Sequence, residues 1–455
     1  MRLLIIISSD LYVRNFISTG AFAGLKEAHE LYYLSTPLRH VALLAQQGNY
    51  VGSIDVEAWR AALYTELGHI LMMASRHHSS TFRIKARIQF LLRDRLKYEL
   101  LSAAGLRELT TWTLMWLTRE NGRLTRVLLD VKPDLMIAPT AVTDPLLIDV
   151  ARLGKRLKIP TLFLVNNWDN LSSKLVFPET PDYLGVWGEQ SVEHACRIHG
   201  MSRERVFVVG TPTFDHYFHV AKETLPSPYP FRYVLFAGCS LPFDEITALR
   251  TLDDAIELEG LSGLKIVYRP HPWRQRRKCF DVFEPEKYQH VIIDEQVKES
   301  YFRTVRTQDY RGSKAFLPSL DYYPSLLSHA EFVISPLSTM MLESAICETP
   351  VLVIAYDDHV HAFSPGTAIH EEHFKGIEAV DGFQICRDSC ELARDFLHMV
   401  QACTQTVSRN GAMREQIRYF LDHDDRTYAQ RLRDLINEIA KRHGHGELAG
   451  QGSHG

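Results

Sequence analysis

Residues 332–345 read Phe332-Val333-Ile334-Ser335-Pro336-Leu337-Ser338-Thr339-Met340-Met341-Leu342-Glu343-Ser344-Ala345. A short apolar run gives way to a hydroxyl-rich turn, and a helical pattern follows through Cys347. This is the grammar of a parallel strand buried on both faces and feeding a helix. The same unit recurs upstream. Tyr233 to Ala237 ends at Gly238-Cys239-Ser240, and a helix follows from Asp244 to about Glu257. Leu264 to Tyr268 ends in Arg269-Pro270-His271-Pro272, and His290 to Ile293 is a further strand. Downstream, Pro350 to Ala355 is expected to close the series.

The first half uses the same alternation. Leu3 to Ser8, Leu31 to Leu34, Pro133 to Thr140, Pro160 to Val165, Tyr183 to Trp187 and Val206 to Val209 read as strands. Asp144-Pro145 opens a helix through Leu157, with proline at the first helical position, where its missing N–H costs nothing. The expectation is an α/β protein with two doubly wound Rossmann-like domains facing a cleft. The N-terminal domain spans 1–220 with a helical insert at about 54–129, and a stiff Pro-rich linker spans 221–231. The C-terminal domain spans 232–440 and includes terminal helices near Arg414 to Lys441, followed by a flexible Gly/His tail at 441–455.

Composition narrows the function. The chain has 455 residues, 45% of them hydrophobic, and a net charge of −4, which gives no global basic excess for nucleic acid. Its longest aliphatic runs fall far short of the ~20 residues of a spanning helix, and no signal-peptide pattern opens the sequence. A cytoplasmic protein is expected. Seven cysteines with no C-x-x-C argue against a disulfide or zinc framework.

Doubly wound sheets bind ligands beyond the carboxyl ends of their strands, so the polar residues there carry the functional reading. Ser335, Ser338 and Thr339 fall at a helix start, where free N–H groups favour phosphate, and Glu343 lies one turn on, placed to accept from a ribose diol. An ordinary cap followed by a solvated glutamate is the alternative. His271, held between two prolines, is a phosphate ligand or an acid–base group, with Arg269 adding charge; a basic turn is the alternative. Asn167, Trp168, Asp169, Asn170, Ser172 and Lys174 suit a sugar stacked on an aromatic face, with Asp169 a candidate base; an Asx-rich turn is the alternative. Asp10, after the first strand, is a second candidate base or a loop cap. Gly238 permits close backbone approach, and Ser240 follows it.

Two metal-like patterns carry less weight. Asp422-His423-Asp424 lies in a helical stretch, and the loop holding Asp357, His359, His361, His370 and His373 has no tight ligand spacing. The stretch from Arg83 to Lys97 interleaves cations with Ile84, Ile88, Phe90, Leu91, Leu92 and Leu96, and Trp112 and Trp116 follow. That pattern fits a membrane surface or a solvated helix packed on the domain.

Together, Asn167–Lys174, Arg269-Pro-His-Pro272 and Ser335-x-x-Ser338-Thr339-x-x-x-Glu343 resemble GT-B bacterial surface-polysaccharide transferases, in the group of CDP-glycerol glycerophosphotransferases and capsule glycosyltransferases. The resemblance covers roughly residues 130–375. It implies a glycosyltransferase moving a sugar from a nucleotide-activated donor to a hydroxyl of a surface glycan, without metal or other cofactor. It places the donor on His271, Ser338, Thr339 and Glu343, and the acceptor in the N-terminal domain with Asp10 or Asp169 as base; Gly238, Ser240, Arg269 and Ser335 join the donor candidates by their positions after strands. The implied partners are the donor and a glycan or lipid-linked acceptor at the inner membrane face, with no nucleic acid. A CDP-polyol phosphotransferase, a nucleotide-sugar 2-epimerase and a non-catalytic nucleotide-sugar scaffold are the alternatives.

Overall fold

The structure, a computed structural model, describes residues 1–219, 224–271, 282–307, 321–405 and 411–444. The chain forms two compact units, Met1–Asp215 with Arg418–Gly455, and His216–Ile417.

The first unit is built on seven strands: β1 (Arg2–Ile7), β2 (Glu30–Ser35), β3 (Asn49–Ser53), β4 (Leu135–Thr140), β5 (Thr161–Val165), β6 (Tyr183–Val186) and β7 (Val206–Val208). Their order is β3-β2-β1-β4-β5-β6-β7, and all pairs are parallel. Successive side chains of a strand point to opposite faces. Accordingly Leu3, Ile5 and Ile7 join one apolar cluster, while Leu4 and Ile6 join another on the far side of the sheet.

The second unit holds β8 (Arg232–Ala237), β9 (Leu264–Arg269), β10 (Val291–Ile293), β11 (Val333–Pro336), β12 (Val351–Ile354) and β13 (Phe383–Cys386), in the order β10-β9-β8-β11-β12-β13. Again every pair is parallel. The expected α/β architecture of two Rossmann-like sheets is therefore present. In each unit the strand order reverses beside the first strand, between β1 and β4 and between β8 and β11. Such reversal points are where doubly wound sheets open a crevice for ligands.

Three expectations about organisation change. The series does not close at Ala355, because β13 adds a sixth strand. The terminal helix Tyr428–Arg442 belongs to the first unit, not the second. Its Tyr428, Leu432, Leu435, Ile436 and Ile439 share a cluster with Leu3, Ile5 and Ile7, covering one face of the first sheet. The stiff Pro-rich linker, where described, packs as part of the second unit. Leu225 and Tyr229 are buried there, and the Leu225 carbonyl lies 2.8 Å from His329 Nε2. The tail beyond residue 444 lies outside the described residues.

The expected insert comprises the helices Ala58–Ala74, Ser80–Ile88, Leu92–Leu101, Leu106–Leu117 and Gly122–Val131. A buried polar knot ties it to the helix Pro145–Leu157. Asp149 accepts from Arg60 Nη1 at 3.1 Å, Tyr64 Oη at 2.5 Å and Asn121 Nδ2 at 3.1 Å. Arg152 donates to Thr118 Oγ1 at 2.9 Å and to the Met115 carbonyl at 2.8 Å. Each group of the knot is paired, as a buried ionic cluster requires.

Candidate functional site

In the second unit, β8 runs directly into Gly238, whose amide donates to the Arg269 carbonyl at 2.9 Å. A Cβ on Gly238 would lie 2.8 Å from one Glu245 carboxylate oxygen, 3.1 Å from the other and 3.1 Å from the His271 amide nitrogen. Only glycine fits, so the loops after β8 and β9 touch through bare backbone. Glu245 is fully buried and accepts from the Cys239 amide at 3.1 Å and the Tyr268 hydroxyl at 2.6 Å. It opens the helix Glu245–Leu258, where a carboxylate also meets the positive end of the helix dipole. His271 is half-buried beside this contact, and the stretch from Pro272 onward to residue 281 lies outside the described residues.

Beyond β11, Ser335 is buried, with its hydroxyl 3.0 Å from the Pro336 carbonyl and 2.9 Å from Ser338 Oγ. It therefore braces the turn from within, and the half-buried Ser338 and Thr339 are the hydroxyls left near the surface. The helix Met340–Ile346 follows. Glu343 is 7% exposed; one oxygen accepts from Tyr217 Oη at 2.9 Å and the other from Thr339 Oγ1 at 3.4 Å. Burial and the neighbouring Glu343 charge push the Tyr217 phenol well above its ordinary range, so Tyr217 acts as a donor.

Arg269 is not placed as a free anion ligand. Its guanidinium is buried, pairs with Asp294, donates to Tyr323 Oη at 3.0 Å and lies over the rings of Tyr322 and Tyr323. Asp294, fully buried, also accepts from Tyr229 Oη at 3.0 Å and from Tyr322. An arginine already neutralised inside the fold has little charge to offer a phosphate. Ser240, by contrast, is exposed just past Gly238.

In the first unit the Asn167–Lys174 stretch folds largely on itself. Trp168 is 2% exposed and meets Phe420 edge-on at 5.8 Å, so it gives no open face for stacking a sugar. Asn170 accepts from the Asn167 amide at 2.9 Å, and the buried Ser172 bonds the Asp169 carbonyl at 3.2 Å. Asp169 accepts from Ser173 and from Asn170 Nδ2, and Lys174 lies 3.5 Å away. The Asx-rich turn describes Trp168, Asn170 and Ser172 better than a sugar platform does. Asn167, Asp169 and Lys174 retain some exposure. His199 clamps the stretch from below. Its Nδ1 accepts from the Phe177 amide at 3.3 Å and its Nε2 lies 2.7 Å from the Leu171 carbonyl, which assigns the proton to Nε2. Burial pushes the His199 pKa down to about 4.

At the β1–β4 reversal two carboxylates have opposite settings. Asp144 accepts from Ser8 Oγ at 2.8 Å, Tyr12 Oη at 2.9 Å, Thr140 Oγ1 at 3.2 Å and the Ala141 amide at 3.0 Å. Burial nevertheless raises its pKa, and it pins the ends of β1 and β4 together. Asp10 is more open and accepts from His40, through its amide at 3.1 Å and through Nδ1 at 3.0 Å. Partial burial would raise the Asp10 pKa, but these bonds and the Arg39 amide outweigh it and hold the carboxyl below its usual range. His40 is an exposed imidazole oriented by a carboxylate, the geometry of a positioned general base. Sequence reasoning passed over His40. The signal was available, because His40 lies five residues beyond the carboxyl end of β2.

The metal-like patterns are engaged elsewhere. Asp358 accepts from the Asp244 amide at 2.9 Å and His361 Nδ1 at 2.7 Å, and Asp422 and Asp424 pair with Arg418 and Arg426. Among the described residues, no three His, Cys, Asp or Glu side chains converge as metal ligands.

The sequence matches no protein-family model and no curated protein. Solved structures do match in fold. The glycosyltransferase of kitacinnamycin is 10% identical with a TM-score of 0.52, and the alignment covers 96% of this chain and 98% of that one. The calicheamicin glycosyltransferase is 13% identical with a TM-score of 0.51, covering 97% and 99%. The UDP-GlcNAc 2-epimerase from Neisseria meningitidis, solved with UDP-GlcNAc bound, is 11% identical with a TM-score of 0.50, covering 97% and 100%. At such identities the likeness is one of fold: two Rossmann-like domains of the GT-B type.

Proposed function

We propose that this protein is a glycosyltransferase that takes a sugar from a nucleotide-activated donor and joins it to a hydroxyl of a glycan or lipid-linked glycan. The observation that carries this reading is the β8–β11 reversal of the second unit. The loop after β8 carries a glycine-only backbone contact, and the turn after the neighbouring β11 carries two half-buried hydroxyls and a mostly buried carboxylate, at the strand ends where doubly wound sheets bind nucleotides. In this reading Ser338 and Thr339 bind the diphosphate, Glu343 accepts from the ribose diol, and Gly238, Ser240 and His271 line the phosphate side. GT-B glycosyltransferases are among the fold's neighbours, which agrees with this use of the architecture.

The first unit supplies acceptor binding and the base. His40 Nε2 takes the proton of the acceptor hydroxyl while Asp10 holds the ring and stabilises the imidazolium. The hydroxyl oxygen bonds to the anomeric carbon, and the bond from that carbon to the donor diphosphate breaks, its electron pair leaving with the nucleotide. No metal is invoked. Asp169, bonded within its own turn, is the weaker base candidate.

Product analysis tests the reading. Incubation with nucleotide sugars and a glycan acceptor should yield free nucleotide and a new glycosidic bond. A phosphodiester product would instead identify a polyol-phosphate transferase. Epimerised nucleotide sugar without acceptor would identify a 2-epimerase, and nucleotide binding without turnover a scaffold.

A further inference from the structure

Among the described residues, the helical insert buries apolar side chains on one side and leaves others exposed. The inner face packs Ile70, Met73, Ala86 and Tyr98 in one small cluster and Met72, Phe82, Val176 and Ile198 in another. The outer face is open. On the helix Leu92–Leu101, Leu92, Leu96 and Leu100 recur every fourth residue and are 72%, 57% and 65% exposed. They line a shallow groove together with Arg93 and Lys97. On the next helix, Leu106–Leu117, Trp112 and Trp116 are each 63% exposed, with rings stacked at 6.4 Å. Exposed apolar side chains concentrated in this way mark a contact site.

Charge points to which partner. Between Arg83 and Trp116 the sequence holds seven Lys or Arg against three Asp or Glu, although the whole chain carries a net charge of −4. Arg87 and Arg93 are exposed and have no acidic partner among the described residues. Leucines and tryptophans flanked by unpaired cations are the composition of helices that lie in a bilayer interface, with indole rings at headgroup depth and cations on anionic phosphates. Among the described residues no helix is long and apolar enough to cross a membrane.

We propose that this outer face of the insert docks the protein on a membrane surface bearing anionic lipid headgroups. Leu92, Leu96, Leu100, Trp112 and Trp116 enter the interface, and Arg87 and Arg93 bind headgroup phosphates. The inference stands whichever group-transfer reaction the protein performs.

The test is co-sedimentation of the full chain with vesicles of phosphatidylcholine alone and with about 30% phosphatidylglycerol added. The protein should sediment with the anionic vesicles, less so at raised salt, and its tryptophan emission should shift to the blue. Trp112→Ser with Trp116→Ser, and separately Leu92→Gln with Leu96→Gln, should weaken binding by at least ~10-fold. Arg87→Glu with Arg93→Glu should weaken it on anionic vesicles only. All these side chains are exposed, so thermal unfolding should match wild type. The proposal is overturned if the anionic vesicles leave the protein in solution or if the variants bind as well as wild type. It is equally overturned if light scattering finds a dimer that the same substitutions convert to monomer, because the face would then join two copies of the chain.

Discussion

Nδ1 of His40 lies 3.0 Å from Oδ1 of Asp10, at the carboxyl end of β1. The His40 amide donates to the same carboxylate at 3.1 Å, so ring and backbone are fixed by one acceptor. If this pair deprotonates the acceptor hydroxyl, His40→Ala should lower kcat by ~10²–10⁴-fold with donor binding intact. Asp10→Asn keeps the shape and removes the charge, so its loss should be smaller and should also fall on kcat. Steady-state turnover of the bound donor, with KM measured beside it, checks both. A fully active His40→Ala enzyme would remove the pair from the mechanism.

Gly238 makes a different kind of demand, one of space. A methyl group there meets a buried carboxylate that is held by two hydrogen bonds and cannot swing away. Gly238→Ala should therefore cost about 1–3 kcal/mol of stability and shift the His271 backbone. Denaturant unfolding reads the first effect and nucleotide titration the second.

Much of this architecture was legible in the sequence. The central strands are apolar at nearly every position, and a central parallel strand must be. The strands β3 and β13 escaped because polar residues break their apolar pattern: Asn49–Ser53 contains Asn, Gly and Ser, and Gln384 interrupts Phe383–Cys386. The terminal helix showed its amphipathic pattern, but periodicity does not name the sheet that a stripe covers. At the site, polar residue types after strands marked the right loops. They did not reveal which side chains were already committed: Arg269 to Asp294, Trp168 to Phe420, Ser335 to Ser338. Burial and pairing are tertiary facts, and a motif carries only the residue types.

Asp294 illustrates what such commitment costs. Removing it leaves the Arg269 guanidinium buried without its counter-charge. Asp294→Ala should destabilise the second unit by about 3–5 kcal/mol. A change below about 1 kcal/mol in urea unfolding would mean that the tyrosines alone suffice to hold the cation.

His199 gives the first unit an acid sensitivity. In the unfolded chain its imidazole takes up a proton near pH 6.5, but in the fold not until about pH 4. Below pH 6.5 the unfolded state therefore binds the extra proton, so stability falls as pH falls. The loss attributable to His199 should approach about 3 kcal/mol by pH 4. Unfolding measured across that window should show a shallower slope for His199→Gln than for wild type. Equal slopes would mean that His199 titrates alike in both states.

The most direct test of the donor site is calorimetric titration of CMP, CDP, UDP, GDP and ADP into the wild-type protein and Glu343→Ala. One nucleotide should bind the wild type, and the substitution should weaken it about 10–100-fold, the loss of a charge-assisted hydrogen bond worth roughly 1.5–3 kcal/mol. Failure of every nucleotide to bind the wild type, or equal affinity in the Glu343 variant, would contradict the assignment of the donor to the carboxyl ends of β8 and β11.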